Sequence, residues 1–262
     1  MIDWDDAFAN GAYIDGAAAY PPRWAAAAAA FRASTGGQEQ AYGPHPRETF
    51  DLFVPQAAPL GVVVFVHGGY WQKFDKSYWS HLAAGPLGHG WAVALPSYTL
   101  APEATLPQIT AQIARAVTQI STQVSGPIRL AGHSAGGHLV TRMVCDDTAL
   151  AADVVARVKG VVSISGLHDL RPLCATTMKD DLRLSAQVAE AESAALHKPL
   201  AGKHVTAWVG GHERPEFLRQ SALLREAWDA ALVVDGTYHH FDVIDGLEQP
   251  DSALTRAVIG AR

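Results

Sequence analysis

Residues 61–66 read GVVVFV, a run with no polar interruption and four valines. In an extended chain successive side chains point to opposite faces, so a strand apolar at every position must be covered on both. Such a strand needs a sheet lying between two layers. The rest of the chain supplies the material. GWAVALPSY (90–98), PIRLAG (127–132), VKGVVSISG (158–166), KHVTAWVGG (203–211) and ALVVDG (231–236) read as further strands. ETFDLFVP (48–55) alternates apolar and polar residues and reads as a half-buried strand. Between them, 106–120, 136–144, 215 to about 230 and 250–260 carry apolar residues at helical spacing. The alanine-rich stretch 24–33 predicts a helix, alanine being the best helix former. Strands alternating with helices imply an α/β fold, with a mostly parallel central sheet flanked by helices on both faces. Neither repeat nor linker divides the chain, so residues 1–262 read as a single domain, with an N-terminal helical segment (about 1–36) packing near the active site. In such sheets ligands sit beyond the carboxyl ends of the strands.

Composition narrows the function classes. With 48% hydrophobic and 18% charged residues, the chain can bury a large core, which excludes disorder. The net charge of −6 is scattered and no basic run occurs, which argues against a nucleic-acid partner. No apolar stretch is long enough to span a membrane. The two cysteines, Cys145 and Cys174, form no framework and read as buried small residues in a reducing compartment. The acidic start MIDWDDAFAN lacks the cationic lead of a secretory signal, so a cytoplasmic protein is expected.

Gly132-His133-Ser134-Ala135-Gly136 follows one predicted strand and opens a predicted helix. That context turns G-x-S-x-G into a nucleophile elbow: the turn strains the serine backbone, and side chains on the flanking glycines would collide. The Ala135 N–H and the helix N-terminus would face a developing oxyanion. A serine needs a base. GTYHHFDVIDG, after the last strand, offers His239 and His240, and VGGHERPEF, after the preceding one, offers Glu213 and Glu216. His67-Gly68-Gly69 follows the buried strand 61–66 and places Gly68 and Gly69 where oxyanion donors are needed. Tyr70 and Trp71, next in the chain, would stand at the mouth of the site, where they could stack on an aryl group or pack the loop. His67 reads as a brace for that loop, and His133 and His138 as structural. Twelve histidines contain no H-E-x-x-H and no zinc-type spacing, so neither a catalytic metal nor a cofactor is expected.

HGGYWQ (67–72), GHSAGGHL (132–139), and the PEF and HF elements near Glu216 and His240 together resemble the arylformamidase (kynurenine formamidase) branch of the α/β-hydrolase superfamily. SYTLAPEATLP is similar to a segment of hormone-sensitive-lipase-like esterases. The resemblance implies an α/β-hydrolase fold without a large separate cap domain. It also implies Ser134 as nucleophile and His240, before Phe241, as base. The family usually has aspartate where this chain has Glu213, which is the preferred acid, with Asp169 of SGLHDL as the alternative. The substrate would be a small acylated molecule, N-formylkynurenine in first place. A general carboxylesterase or thioesterase acting on short acyl esters is the rival, and a binding module on the same fold a more distant one. A homo-oligomer is possible on the sequence but nothing in it argues for one.

Overall fold

The structure is a computed structural model, and it describes residues 2–261. Its centre is an eight-stranded sheet in the order β1-β2-β4-β3-β5-β6-β7-β8. The strands are β1 (Gln38–Ala41), β2 (Thr49–Phe53), β3 (Val62–Val66), β4 (Ala92–Pro96), β5 (Ile128–His133), β6 (Val158–Ile164), β7 (His204–Gly210) and β8 (Ala231–Asp235). β1 and β2 run antiparallel to their neighbours, and β3 to β8 are parallel. The loop after β3 and the strand-to-helix turn after β5 therefore leave the sheet side by side.

The continuous apolar strand divides its residues as its chemistry requires. Val62, Val64 and Val66 enter one core with Leu106, Ile109 and Ile113 of the helix Leu106–Gln123 and with Phe217 and Leu224 of the helix Pro215–Trp228. Val63 and Phe65 enter a second core with Trp24 of the helix Tyr20–Thr35 and with Leu254 and Val258 of the helix Ala253–Ile259. Burying one such aliphatic side chain is worth about 1.5–3 kcal/mol, so both layers hold the strand.

Three readings change. β2 is not half-buried: Phe50, Asp51, Leu52 and Phe53 are all buried, and Asp51 is tolerated there because Lys76 Nζ lies 2.5 Å from its carboxylate. The N-terminal helix begins at Tyr20 rather than Trp24, with Pro21 and Pro22 in its first turn, where a missing N–H costs nothing. Cys145 is buried but Cys174 is only half-buried. No described helix is long and apolar enough to cross a membrane.

Candidate active site

β5 ends at His133, and the helix Ala135–Arg142 begins two residues later, so Ser134 alone makes the turn. It does so at φ 55° and ψ −118°, a conformation that costs an L-residue of order 1–3 kcal/mol. The surroundings hold it there. The Ser134 N–H donates to the Ile164 carbonyl at 2.8 Å, and the Ser134 carbonyl accepts from the His138 N–H at 3.2 Å. The flanking glycines are sterically required. A Cβ on Gly132 would stand 2.2 Å from the Gly136 carbonyl oxygen, and one on Gly136 would stand 1.9 Å from that of Val66. Ala135 is the first helical residue, so its N–H has no acceptor within the helix.

The loop after β3 passes directly against this turn: a Cβ on Gly68 would lie 2.9 Å from Ser134 Cβ. Gly69 then turns at φ 106°, and its carbonyl accepts from the Gln72 and Lys73 N–H groups, each at 3.0 Å. His67 braces the loop as expected. Its ring stacks on Tyr98 at 4.4 Å, and the Tyr98 hydroxyl donates to the His67 carbonyl. Burial pushes its pKa down to about 4.

On the far side, Glu213 and His240 meet. Glu213 Oε2 is 2.6 Å from His240 Nδ1, with both side chains buried. Glu213 Oε1 accepts from the Gly210 N–H at 2.9 Å and from the Ser165 hydroxyl. Three donors on one buried carboxylate fix its position and orient the imidazole. The His240 ring rests on Phe217, 4.4 Å between centroids, and the His240 carbonyl accepts from His133 Nε2 at 2.9 Å. His133 is neutral, because burial first and the neighbouring His240 second push its pKa well below the ordinary value.

The alternatives fall elsewhere. Asp169 is paired bidentately with Arg171, at 2.9 and 3.0 Å, and that guanidinium holds its carboxyl below the usual range. His239 Nε2 lies 3.0 Å from the Tyr20 hydroxyl, while its Nδ1 accepts from the Phe241 N–H. Glu216 is bound to Arg219 and Gln220. His138 is structural: its Nε2 bonds the Glu192 carbonyl and burial lowers its pKa to about 3.

Ser134 and His240 both line a cavity of about 410 Å³, together with Gly68, Gly69 and Tyr70. Trp71 is not part of it. Its backbone turns at φ 58°, its indole is fully buried, and the ring packs edge-on against His138 at 5.2 Å. Sequence reasoning put the N-terminal segment near the site but named none of the residues by which it lines the cavity. Phe8, Asn10, Gly11, Ala17 and Trp24 come from the N-terminal segment, and Phe74, Trp79 and Phe241 complete an aromatic lining. Nothing in these residues' spacing marked them, because they converge from three separate stretches of chain. Ser165 was also missed, although SISG at the end of β6 places a hydroxyl at the carboxyl edge of the sheet. Among the described residues one cluster has metal-type donors, Asp146, Asp147 and His197. It is largely exposed, and Asp147 is already bound bidentately by Arg142.

The BD-FAE family model matches residues 50–209, the sheet from β2 to β7 together with the elbow. The chain is 29% identical to a kynurenine formamidase of Danio rerio over 83% of its own length and 79% of that protein's. It is 30% identical to one of Salmo salar over the same shares. Among solved structures, one from Silicibacter sp. TM1040 that carries a provisional thioesterase name is 52% identical, with a TM-score of 0.96, covering 99% of this chain and 100% of that one. A Pyrobaculum calidifontis esterase, 16% identical with a TM-score of 0.68 over 92% and 91% of the two chains, shares the fold.

Proposed function

The chain belongs to the BD-FAE family of α/β-hydrolases, and from that premise we propose that it is a serine hydrolase that removes a formyl group from an aromatic amine, with N-formylkynurenine as substrate and kynurenine and formate as products. The observation that carries the reading is the buried Glu213–His240 pair at 2.6 Å, opening with the strained Ser134 onto one apolar, aromatic-walled cavity. The kynurenine formamidase relatives support the substrate class. The cavity supports it physically. At about 410 Å³ it lies in the lower range for small-molecule sites and suits one aryl group with a small acyl group.

In this mechanism His240 takes the Ser134 proton as Oγ bonds to the formyl carbon. Glu213 holds the Nδ1–H and stabilises the imidazolium. The Gly68, Gly69 and Ala135 N–H groups receive the oxyanion. Loss of one such donor typically costs about a hundredfold or more. The C–N bond then breaks, His240 protonates the departing nitrogen, and an arylamine leaves more readily than an alkyl amine. Water, deprotonated by His240, attacks the formyl-serine, and formate leaves as the proton returns to Ser134. The reading calls for no metal and no cofactor, and it takes a small acylated molecule as substrate, with no nucleic-acid or membrane partner. Two unpaired cysteines favour a cytoplasmic setting.

The 52% identical Silicibacter relative supports a second reading, an esterase or thioesterase using the same residues. Comparing kcat/KM for N-formylkynurenine, p-nitrophenyl acetate and a short acyl thioester decides between them. The formamide is expected to lead. Ester or thioester turnover higher by orders of magnitude would reassign the substrate.

A further inference from the structure

Asn10 enters the cavity wall from the N-terminal segment and is 5% exposed. Its amide orientation is fixed by a neighbour. The Tyr70 hydroxyl donates its single hydrogen to the Phe8 carbonyl at 2.6 Å, so toward Asn10 it can only accept. Asn10 Nδ2 therefore donates to Tyr70 Oη, at 3.3 Å, and Asn10 Oδ1 is the atom left over. That oxygen has no hydrogen-bond partner and is closed off from water, so a donor on a bound ligand reaches it only as the cavity wall shifts to admit it. Leaving a buried acceptor unpaired is costly, and a ligand that supplies a donor recovers the cost. An ester or thioester has no hydrogen on its leaving heteroatom. An N-acyl arylamine has one.

We propose that Asn10 Oδ1 accepts a hydrogen bond from the N–H of the bound substrate's leaving group, so that Asn10, held by Tyr70, selects an N-acyl arylamine over the matching aryl ester. The inference rests on the acyl-serine reading of the cavity and adds a residue that distinguishes its two substrate classes. A polar atom built to bind a substrate N–H penalises the analogue lacking it, because it then stays unpaired.

The test uses the full chain carrying Ser134→Ala, which cannot turn over either ligand, and compares binding of formanilide and phenyl formate through the fluorescence of the cavity tryptophans. Formanilide is expected to bind about ten- to a hundredfold more tightly. With Asn10→Ala added, that ratio should fall to near one, and Asn10→Leu, which keeps the bulk, should do the same. A ratio near one in the Ser134→Ala protein overturns the proposal, as does a ratio that survives both variants. Equal weakening of both ligands also overturns it and assigns Asn10 to holding the N-terminal segment. Wild-type turnover of formanilide is measured separately. Its absence would count against the formamidase reading, while the binding ratio would still decide the role of Asn10.

Discussion

Each proposed catalytic side chain is held by partners that do no chemistry, and this sets the pattern of mutational effects. Ser134→Ala and His240→Ala remove groups that form and break bonds, so each should lower kcat by at least about a thousandfold in a purified-enzyme assay. His239→Ala should stay within about tenfold, because that ring contacts Tyr20 rather than the nucleophile. Glu213→Gln preserves shape but loses the charge that fixes the imidazole tautomer, and a fall of about 10³–10⁴ in kcat is expected. Asp169→Asn should leave kcat within severalfold, since its partner is Arg171. Equal losses in these two variants would show that the acid has been misassigned. At this scale the sequence was legible wherever a motif forces geometry. The elbow glycines, Gly68 and Gly69 could be read because an added Cβ at each would collide with its neighbours. Trp71 could not, because its direction depends on a run of positive φ angles at Gly69, Tyr70 and Trp71 that residue order does not announce.

The least legible element is the segment before Tyr20, although it closes the cavity. It consists of short turns, Trp4–Ala7, Asn10–Tyr13 and Ala17–Ala19, too brief to have a period. Long-range contacts hold it. Arg214, beside the proposed catalytic acid, donates to the Asp6 carbonyl and carboxylate and lies 3.6 Å from the centre of the Tyr13 ring. Asp5 accepts from the Thr177 N–H and hydroxyl, each at 2.8 Å. Asp6→Asn and Arg214→Gln should each raise KM more than they lower kcat. A double-mutant cycle should give a coupling of about 0.5–1 kcal/mol, the range for a partly exposed pair. Zero coupling would mean that the clamp does not hold the segment. β1 escaped sequence reading for a related reason. Its four residues, QEQA, are mostly exposed at the sheet edge, and only pairing with β2 makes them a strand. β3 and β4 were legible because their burial is written into consecutive apolar residues, whereas β8, exposed or half-buried along its length, was legible only from its short LVV run.

At the scale of the molecule, the buried histidines are expected to govern the response to acid. His67, His81, His133, His138 and His168 are all buried, and desolvation lowers the pKa of each, to about 4 for His67 and His81 and about 3 for His138 and His168. His67 Nε2 and the Nδ1 atoms of His81, His138 and His168 have no partner, so a second ring N–H would find no acceptor. In the unfolded chain these rings protonate near pH 6.5. Between that pH and about 4 the unfolded state therefore binds more protons, and the stability these groups give above pH 6.5 is lost as the pH falls. Each contributes up to about 1.4 kcal/mol per pH unit. Carboxylates with raised pKa values oppose this: Asp245, pushed up to about 6 by burial, with Glu192 and Glu248 shifted the same way. They take up protons in the folded state first and so gain stability on acidification. Even if each cancels one histidine, about two protons remain, or roughly 3 kcal/mol per pH unit, against a typical total of about 5–15 kcal/mol. Urea titrations monitored by tryptophan fluorescence should show the midpoint falling steeply from pH 6.5 to 4.5, with cooperative unfolding near pH 4–5. His168→Gln should flatten the slope by about one proton. A midpoint constant across that range would mean that these histidines do not control acid stability.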